Sequence, residues 1–262
     1  MVLKGAENMV FEYQRAQFAH FGYAVFDNVL EGEPLALLRE QCAAFIARED
    51  ARMEAAGVEQ MGLNQKGKRY FANECQREQP ALRSVLFSSI MAEICRATLG
   101  DNAYFFFDQY VVKGPEGGTA FSWHQDSGYV VGNGGPVDHA PYLTCWCPLD
   151  DATVQNGTIN ILPFTEVPES RDWILPHTRD PKTNDLVCKN IPVGGPALEV
   201  TAGSVVVFSS RMLHASGPNL TSDLRRVYLA QFTPEVMLNP GTRQLRRNAV
   251  PLLLGGRHVT HG

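Results

Sequence analysis

The clearest indication of the fold is the stretch Val205-Val-Val-Phe-Ser-Ser-Arg-Met-Leu-His-Ala-Ser-Gly-Pro-Asn219. Its apolar, β-branched start predicts a strand, and its Gly-Pro-Asn end predicts a turn. The following segment, Arg225-Arg-Val-Tyr-Leu-Ala-Gln-Phe232, predicts a returning strand. We therefore expect His214 at a strand end, with Arg225 or Arg226 close behind it.

Nearly all strand candidates, including the two just described, lie after Gly100. They are 104–112, 142–149, 157–162, 204–209 and 226–232, and turns rich in Gly and Pro separate several of them. The first hundred residues are instead mainly helical, with helices predicted at 12–21, 34–57 and 80–100 and one strand at 23–26. Helices followed by many short strands predict a mainly β (α+β) fold, a β-sandwich or jelly roll with N-terminal helices packed outside it.

No linker in the sequence demands a second domain, so we expect a single domain over residues 1–262. Its mostly helical part is 1–100 and its β-core is 101–235. The stretch 163–203 is rich in Pro and charged residues, and a connection of that length is usually functional, so it predicts a lid-like insertion. We expect the C-terminal residues, with His258 and His261, to form a mobile tail.

Composition excludes several classes of function. The 262 residues carry a formal charge of −5, which argues against a nucleic-acid binder held by phosphate contacts. No apolar run approaches the ~20 residues of a membrane helix, and the N-terminus lacks the apolar stretch of a signal peptide. The six cysteines form no C-x-x-C pair and are interpreted as reduced thiols of a soluble, cytoplasmic protein. A monomer and a homodimer both remain open.

The motif Trp123-His-Gln-Asp126 carries the sharpest chemical signal. On a strand, residues i and i+2 face the same way, so His124 and Asp126 would direct an imidazole and a carboxylate to one point. Together with His214 they would form the two-histidine, one-carboxylate set of a non-haem Fe(II) site. A His-X-Asp motif alone is close to chance. An arginine nearby would bind a carboxylate in bidentate fashion, as a metal-bound 2-oxo acid requires.

The ordered set of motifs resembles the phytanoyl-CoA dioxygenase family of Fe(II)/2-oxoglutarate oxygenases. The matching pieces, spread over roughly residues 12–235, are Phe21-Gly-Tyr-Ala-Val-Phe26, Lys113-Gly-Pro, Trp123-His-Gln-Asp126, Asn156-Gly-Thr158, Ala202-Gly-Ser-Val-Val-Val-Phe208 and His214-Ala-Ser-Gly-Pro-Asn219 with Arg225 eleven residues after the histidine. The resemblance implies a double-stranded β-helix (cupin-like jelly roll) that uses Fe(II), 2-oxoglutarate and O₂.

The resemblance also implies roles for single residues. Iron would be bound by His124, Asp126 and His214. The distal carboxylate of 2-oxoglutarate would be held by Arg225 with help from Ser216, and Trp146 and Gln125 would lie near the co-substrate. Because related halogenases have a small residue in place of the carboxylate ligand, Asp126 favours hydroxylation, desaturation or ring formation over halogenation.

Strand alternation adds two candidates for the co-substrate site. If Thr144 and Trp146 face inward on one strand, Cys145 and Cys147 face the other way and are packing residues, not metal ligands. Gln109 follows the aromatic run of its strand and would also face the site. Candidate substrate contacts are Arg69, Lys113, His139 and Trp173, each of which is alternatively a solvated or loop residue. The absence of a strong basic cluster in the sequence favours a small or uncharged substrate.

The leading function is therefore a dioxygenase that oxidises, most simply hydroxylates, a small-molecule metabolite with release of succinate and CO₂. Desaturation or ring-forming oxidation in natural-product biosynthesis by the same cofactors is one alternative. Hydrolysis or isomerisation with another metal is a second, although an arginine anchor has no use there. A non-catalytic ligand-binding jelly roll is a third.

Overall fold

The computed structural model describes residues 4–115, 117, 119–181, 185–189, 191 and 194–261. The α-helices are α1 (Lys4–Phe21), α2 (Glu33–Ala55), α3 (Arg83–Leu86), α4 (Ser89–Thr98), α5 (Asp126–Gly132) and α6 (Glu169–Asp172). The strands are β1 (Tyr23–Phe26), β2 (Gln60–Met61), β3 (Asn64–Gln65), β4 (Arg69–Asn73), β5 (Ala103–Lys113), β6 (Phe121–His124), β7 (Leu143–Pro148), β8 (Ile159–Leu162), β9 (His177–Arg179), β10 (Leu186–Cys188), β11 (Val205–Ser209), β12 (Leu213–Ser216), β13 (Arg225–Thr233), β14 (Val250–Leu254) and β15 (Arg257–His258).

Two antiparallel sheets form the β-core. The larger sheet runs β1-β11-β7-β13-β5-β4-β3-β2, and the smaller sheet runs β6-β12-β8. From β5 to β8, and again from β11 to β13, consecutive strands lie in alternate sheets, so the chain crosses between the sheets at each connection. This crossing is the winding of a double-stranded β-helix, and the predicted jelly-roll fold is confirmed.

The larger sheet separates two layers of packing. On its outer face Cys145 and Cys147 are buried in one hydrophobic cluster with Leu38 of α2 and Ile94 of α4. On its inner face Trp146 packs in a second cluster with residues of β8. The predicted alternation of β7 is therefore correct, because side chains of a strand point to opposite faces in turn. The helices pack on the outer face of the larger sheet, and the inner face of that sheet lines the interior of the barrel.

The third predicted helix is wrong in its extent. Residues 80–100 form a 3₁₀ turn at Pro80–Leu82, then α3, then α4. The break occurs at Ser88, which has an extended backbone and whose hydroxyl accepts a hydrogen bond from the Met91 amide as the N-cap of α4. Serine favours this capping position over a helix interior, since its hydroxyl satisfies an otherwise unpaired N–H group.

Strands β2 to β4 were not predicted either. They extend the larger sheet beyond β5, with Tyr70 opposite Val112 and Arg69 opposite Lys113. Their sequence mixes polar and apolar residues and lacks a clear apolar alternation. We attribute their conformation to pairing with the edge of β5 rather than to a local preference.

The two regions expected to be irregular both contain ordered structure where described. Within 163–203 lie α6 and the hairpin of β9 and β10, in which Leu186 pairs with Arg179. The C-terminal segment forms β14 and β15, and the Nε2 of His258 lies 3.0 Å from the Phe87 carbonyl oxygen. The expectation of a mobile tail is not met by this packing. Among the described residues, no helix combines the length and apolar character needed to cross a membrane.

Candidate metal centre

Three side chains from different elements converge inside the barrel. His124 ends β6, His214 lies directly opposite it on β12, and Asp126 is the first residue of α5. Asp126 is thus not on the strand, as the i, i+2 argument assumed. The chain turns into a helix after Gln125, and this turn brings the carboxylate to the two imidazoles.

The three ligand atoms lie close enough to share one metal ion. The Nε2 of His214 is 3.6 Å from the Asp126 Oδ1, and the Nε2 of His124 is 3.9 Å from the same oxygen. All three ligand atoms lie within 4.8 Å of one another. The chemistry of this donor set, two imidazole nitrogens and one carboxylate oxygen, fits a non-haem Fe(II) ion with open coordination positions.

Both histidines present Nε2 to the centre for a structural reason. The Nδ1 of His124 lies 2.7 Å from the Ser122 carbonyl oxygen, and the Nδ1 of His214 lies 3.0 Å from the Met212 carbonyl oxygen. Because a carbonyl only accepts, each Nδ1 carries the proton and each Nε2 keeps its lone pair. Burial, with the neighbouring His214, lowers the pKa of the His124 imidazole and so favours its neutral form.

The carboxylate is oriented by two neighbours. The hydroxyl of Thr144 donates to Asp126 Oδ2 at 2.5 Å, and the Nε2 of Gln231 donates to the same oxygen at 3.1 Å. A further hydrogen bond at 3.1 Å joins Gln231 to Thr144. Since both donors occupy Oδ2, Oδ1 is left to face the imidazoles.

A cavity of about 440 Å³ opens from this centre. Both sheets line it, and the lining residues of β5 include Phe107, Gln109 and Val111, which lie on one face of that strand. Its volume lies in the ordinary range for a small-molecule site.

The inner end of the cavity holds a buried arginine that forms no ion pair with any acidic residue in the described part of the chain. Arg225 is only 2% exposed, donates to the Gly157 carbonyl oxygen at 3.2 Å, and lies over the Trp146 ring at 5.9 Å. Its Nε has no hydrogen-bond partner among the described residues. Burial lowers the pKa of Arg225 to about 10. Its neighbour Arg226 faces the other way and binds Asp150 through two nitrogens.

Two further polar groups lie beside this arginine. Lys113 is opposite Arg225 on β5 and fully buried, and its Nζ donates to the Ser216 hydroxyl at 2.6 Å and to the Gly217 carbonyl oxygen. Burial, with the charge of Arg225, lowers the pKa of Lys113 to about 5. A buried arginine with an unpaired N–H, next to a lysine and a hydroxyl, fits a carboxylate group.

The predicted site residues divide into two groups. Those that line the cavity are His124, Asp126, His214, Arg225, Ser216, Trp146, Thr144, Gln109 and Arg69. The others lie elsewhere. Lys113 does not line the cavity itself but contacts two residues that do, Ser216 and Phe121. His139 is buried beside Ser127, with its Nε2 at 3.0 Å from that hydroxyl. Trp173 is 69% exposed and its side chain does not line the cavity.

Gln125 also points away from the centre. Its side-chain amide donates to the carbonyl oxygens of Trp173 and Arg211 at 3.1 and 2.6 Å, and its Oε1 accepts from the Leu175 amide at 2.7 Å. Gln125 is fully buried. These hydrogen bonds join the segment after α6 to the turn that carries Asp126, and Gln125 does not line the cavity.

Sequence reasoning missed two residues at the centre. Gln231 contacts Asp126, and alternation along β13 could have identified it, since Gln231 is six residues after Arg225 and therefore on the same face. Tyr129 packs edge-on against His124 with ring centroids 5.5 Å apart, and its hydroxyl accepts from the Leu186 amide at 3.3 Å. Tyr129 lies three residues after Asp126, so only a prediction that a helix begins at Asp126 could have placed it near His124.

Comparison with known proteins agrees with this geometry. The model of the phytanoyl-CoA dioxygenase (PhyH) family matches residues 18–227. A probable alpha-ketoglutarate-dependent hypophosphite dioxygenase from Stutzerimonas stutzeri is 27% identical over 159 residues, which are 57% of this chain and 51% of that protein. The match thus spans about half of this relative's length.

Solved structures share the fold. EvdO2 from Micromonospora carbonacea var. aurantiaca, crystallised with 2-oxoglutarate, superposes with a TM-score of 0.65 at 23% identity, over 85% of this chain and 90% of that one. The non-heme alpha ketoglutarate dependent carbocyclase SnoK from nogalamycin biosynthesis superposes with a TM-score of 0.66 at 18% identity, over 92% of this chain and 95% of that one.

Proposed function

Because the chain belongs to the phytanoyl-CoA dioxygenase family, we propose that it is an Fe(II)- and 2-oxoglutarate-dependent dioxygenase that hydroxylates a small organic molecule. The observation that carries the proposal is the presence, in one cavity, of the three converging ligand atoms and of the buried Arg225 with its unpaired Nε. A metal ion would bind the three ligand atoms, and a carboxylate in the same cavity would pair with Arg225.

We assign iron to His124, Asp126 and His214. Bound iron and 2-oxoglutarate would supply the activation of O₂, with succinate and CO₂ as the products of the co-substrate. The chain's own residues provide geometry. Thr144 and Gln231 hold the carboxylate, and the two carbonyl-bound Nδ1 atoms hold the imidazoles.

We assign the distal carboxylate of 2-oxoglutarate to Arg225, with Ser216 and Lys113 beside it. Lys113 was predicted as a substrate residue, and its contact with Ser216 moves it to the co-substrate end. An approaching dianion would favour the charged form of this lysine, which burial alone disfavours. Trp146 forms the wall on which the guanidinium rests.

The alternatives fit this site less well. A hydrolase or isomerase with another metal has no use for the buried Arg225, and a simple binding module has no use for an open metal face. Desaturation and ring formation use the same cofactors, and SnoK, which has this fold, is named a carbocyclase. The mass of the product separates these outcomes, because hydroxylation adds an oxygen atom whereas desaturation and ring closure remove two hydrogens.

The test is succinate formation. With Fe(II), 2-oxoglutarate and air, the protein should release succinate, slowly alone and faster with substrate, and His214→Ala should abolish it. Arg226→Ala is the matched control, since Arg226 binds Asp150 outside the cavity. Succinate-free turnover of a substrate, or equal succinate release by His214→Ala, would refute the proposal.

We also propose a reducing, cytoplasmic location. All six cysteines are buried and unpaired, whereas oxidising compartments favour disulfides. Thiol titration of denatured protein isolated without reductant should find every cysteine reduced, and stoichiometric disulfides would contradict this.

A further inference from the structure

Two histidines outside the cavity hold the chain on either side of Asp126. His177 begins β9 and His139 lies in the connection from α5 to β7, and neither side chain lines the cavity. The residue before Asp126, Gln125, is bonded to His177. The residue after it, Ser127, is bonded to His139.

The contact of His177 is with the main chain of Gln125. Its Nε2 accepts the Gln125 amide N–H at 3.0 Å, and its Nδ1 lies 2.7 Å from the Leu175 carbonyl oxygen. Because a carbonyl only accepts, Nδ1 carries the proton and Nε2 keeps the lone pair that the amide requires. The Sγ of Cys188, which is opposite His177 in the hairpin of β9 and β10, lies 3.2 Å from the same Nε2.

The imidazole of His177 also packs tightly against the first turn of α5. A Cβ atom on Gly128 would lie 2.6 Å from two atoms of this ring, so a larger residue there would displace it. The Gly128 amide in turn donates to the Gln125 carbonyl oxygen at 2.9 Å. The ring is therefore held by a hydrogen bond and by close contact, both with the turn that carries Asp126.

His139 contacts the other side of the turn through Ser127. Its Nδ1 lies 2.8 Å from the Pro136 carbonyl oxygen, so its Nε2 accepts from the Ser127 hydroxyl at 3.0 Å. The hydroxyls of Ser127 and Ser210 lie 2.8 Å apart, and both serines are fully buried. A lost hydrogen bond here would leave a buried polar group without a partner. Burial lowers the pKa of both His139 and His177, which favours the neutral form that accepts.

The Asp126 carboxylate can face the two imidazoles of the centre only if its main chain stays in place. Thr144 and Gln231 contact the carboxylate itself. We propose that His177 and His139 are positioning residues, which hold the main chain on both sides of Asp126 and thereby set the affinity for metal. This rests on the proposed function, in which Asp126 is a metal ligand. It replaces the expectation that His139 contacts the substrate.

Binding of Co(II) tests the proposal without turnover. Co(II) alone is titrated into the full, metal-free chain, and its visible d–d absorption reports the affinity. His177→Leu removes the acceptor, whereas His177→Gln places an amide oxygen near the position of Nε2. The leucine variant should bind Co(II) about tenfold or more weakly, and the glutamine variant should stay within about threefold of the parent. His139→Leu and His139→Gln form a second pair with the same expectation.

The controls separate positioning from a general loss of stability. His258→Leu removes another histidine whose Nε2 lies 3.0 Å from a carbonyl oxygen, but on β15 and outside the cavity, and it should leave the Co(II) affinity unchanged. Urea denaturation of each metal-free variant establishes that the titrated protein is folded. If a leucine variant does not fold, Gly128→Ala displaces the His177 ring without removing it and should also weaken Co(II).

Unchanged Co(II) affinity in the leucine variants would overturn the proposal, even if their free energy of unfolding fell. Equal weakening in the leucine and glutamine variants would also overturn it, because the hydrogen bond would then not matter. Asp126→Ala distinguishes this failure from failure of the proposed function. If Asp126→Ala binds Co(II) as tightly as the parent, the metal site itself is wrong. If it loses the metal while the leucine variants keep it, only the positioning role is wrong.

Discussion

The hydroxyl of Thr144 donates to Asp126 Oδ2 at 2.5 Å and so turns the other carboxylate oxygen toward the imidazole of His214, 3.6 Å away. The two residues come from different elements, β7 and α5. Gln231 completes the arrangement from β13. The orientation of one proposed metal ligand therefore depends on the pairing of the larger sheet.

Thr144→Val should weaken metal binding because it removes a hydrogen bond that orients the carboxylate and leaves the volume almost unchanged. Loss of such outer contacts typically lowers metal affinity by about tenfold to a hundredfold. Thr144→Ser keeps the hydroxyl and should stay within about threefold of the parent. Titration with Fe(II) under anaerobic conditions measures both. Equal affinities for the valine and serine variants would contradict this role.

Arg225→Ala should raise the KM for 2-oxoglutarate strongly, by about a hundredfold, since a buried charged hydrogen bond is lost. Arg226→Ala should leave that KM unchanged and lower the free energy of unfolding by about 1 kcal/mol, because it breaks the partly buried pair with Asp150. Steady-state kinetics and urea denaturation of the two variants separate these roles. A raised KM in Arg226→Ala but not in Arg225→Ala would assign the 2-oxoglutarate carboxylate to Arg226 instead.

Gln125→Leu should loosen the segment after α6. The change preserves most of the volume but removes hydrogen bonds to Trp173, Leu175 and Arg211, at a cost of about 3 kcal/mol in the free energy of unfolding. Amide hydrogen exchange should rise in 173–177 and remain low in β5. Unchanged exchange there would show that other contacts hold the segment.

Asp108 should make stability depend on pH. Burial raises the pKa of this carboxyl to about 6, against hydrogen bonds from Tyr228 and the Gln76 amide, and its Oδ1 has no partner among the described residues. A raised folded-state pKa contributes stability that is complete below the unfolded value near 3.9 and is lost as the pH rises through about 6. The substitution Asp108→Asn should therefore change the free energy of unfolding more favourably at pH 8 than at pH 4.

Measured by urea denaturation, the effect of Asp108→Asn on the free energy of unfolding should differ between pH 4 and pH 8 by up to about 3 kcal/mol. The amide keeps an oxygen for Tyr228 and Gln76 and carries no charge, so it removes the titration without removing the contacts. A difference between parent and variant that stays constant across this pH range would contradict the account.

Sequence reasoning succeeded where a local pattern determines structure. The apolar runs predicted β5, β7, β11 and β13, and the alternation of β7 separated Trp146 from its neighbouring cysteines. It also placed the three candidate ligands in one region. Each of these inferences depends on residues a few positions apart, where periodicity carries the information.

It failed where distant segments meet. The short strands β2 to β4 gain their conformation from the edge of β5, and Asp126 reaches the centre from a helix. The lining of the cavity includes positions 69, 179 and 246–247, which no linear pattern connects. Gln125, next to the metal ligands in sequence, points the other way because the chain turns there.

The central claim is that His124, Asp126 and His214 bind iron together with 2-oxoglutarate held by Arg225. Anaerobic addition of Fe(II) and 2-oxoglutarate to the full chain, followed by visible absorption, tests it most directly. We predict a weak charge-transfer band that saturates at one equivalent of iron, is absent in Asp126→Ala, and persists in Arg226→Ala. No band in the parent protein, or an undiminished band in Asp126→Ala, would contradict the account.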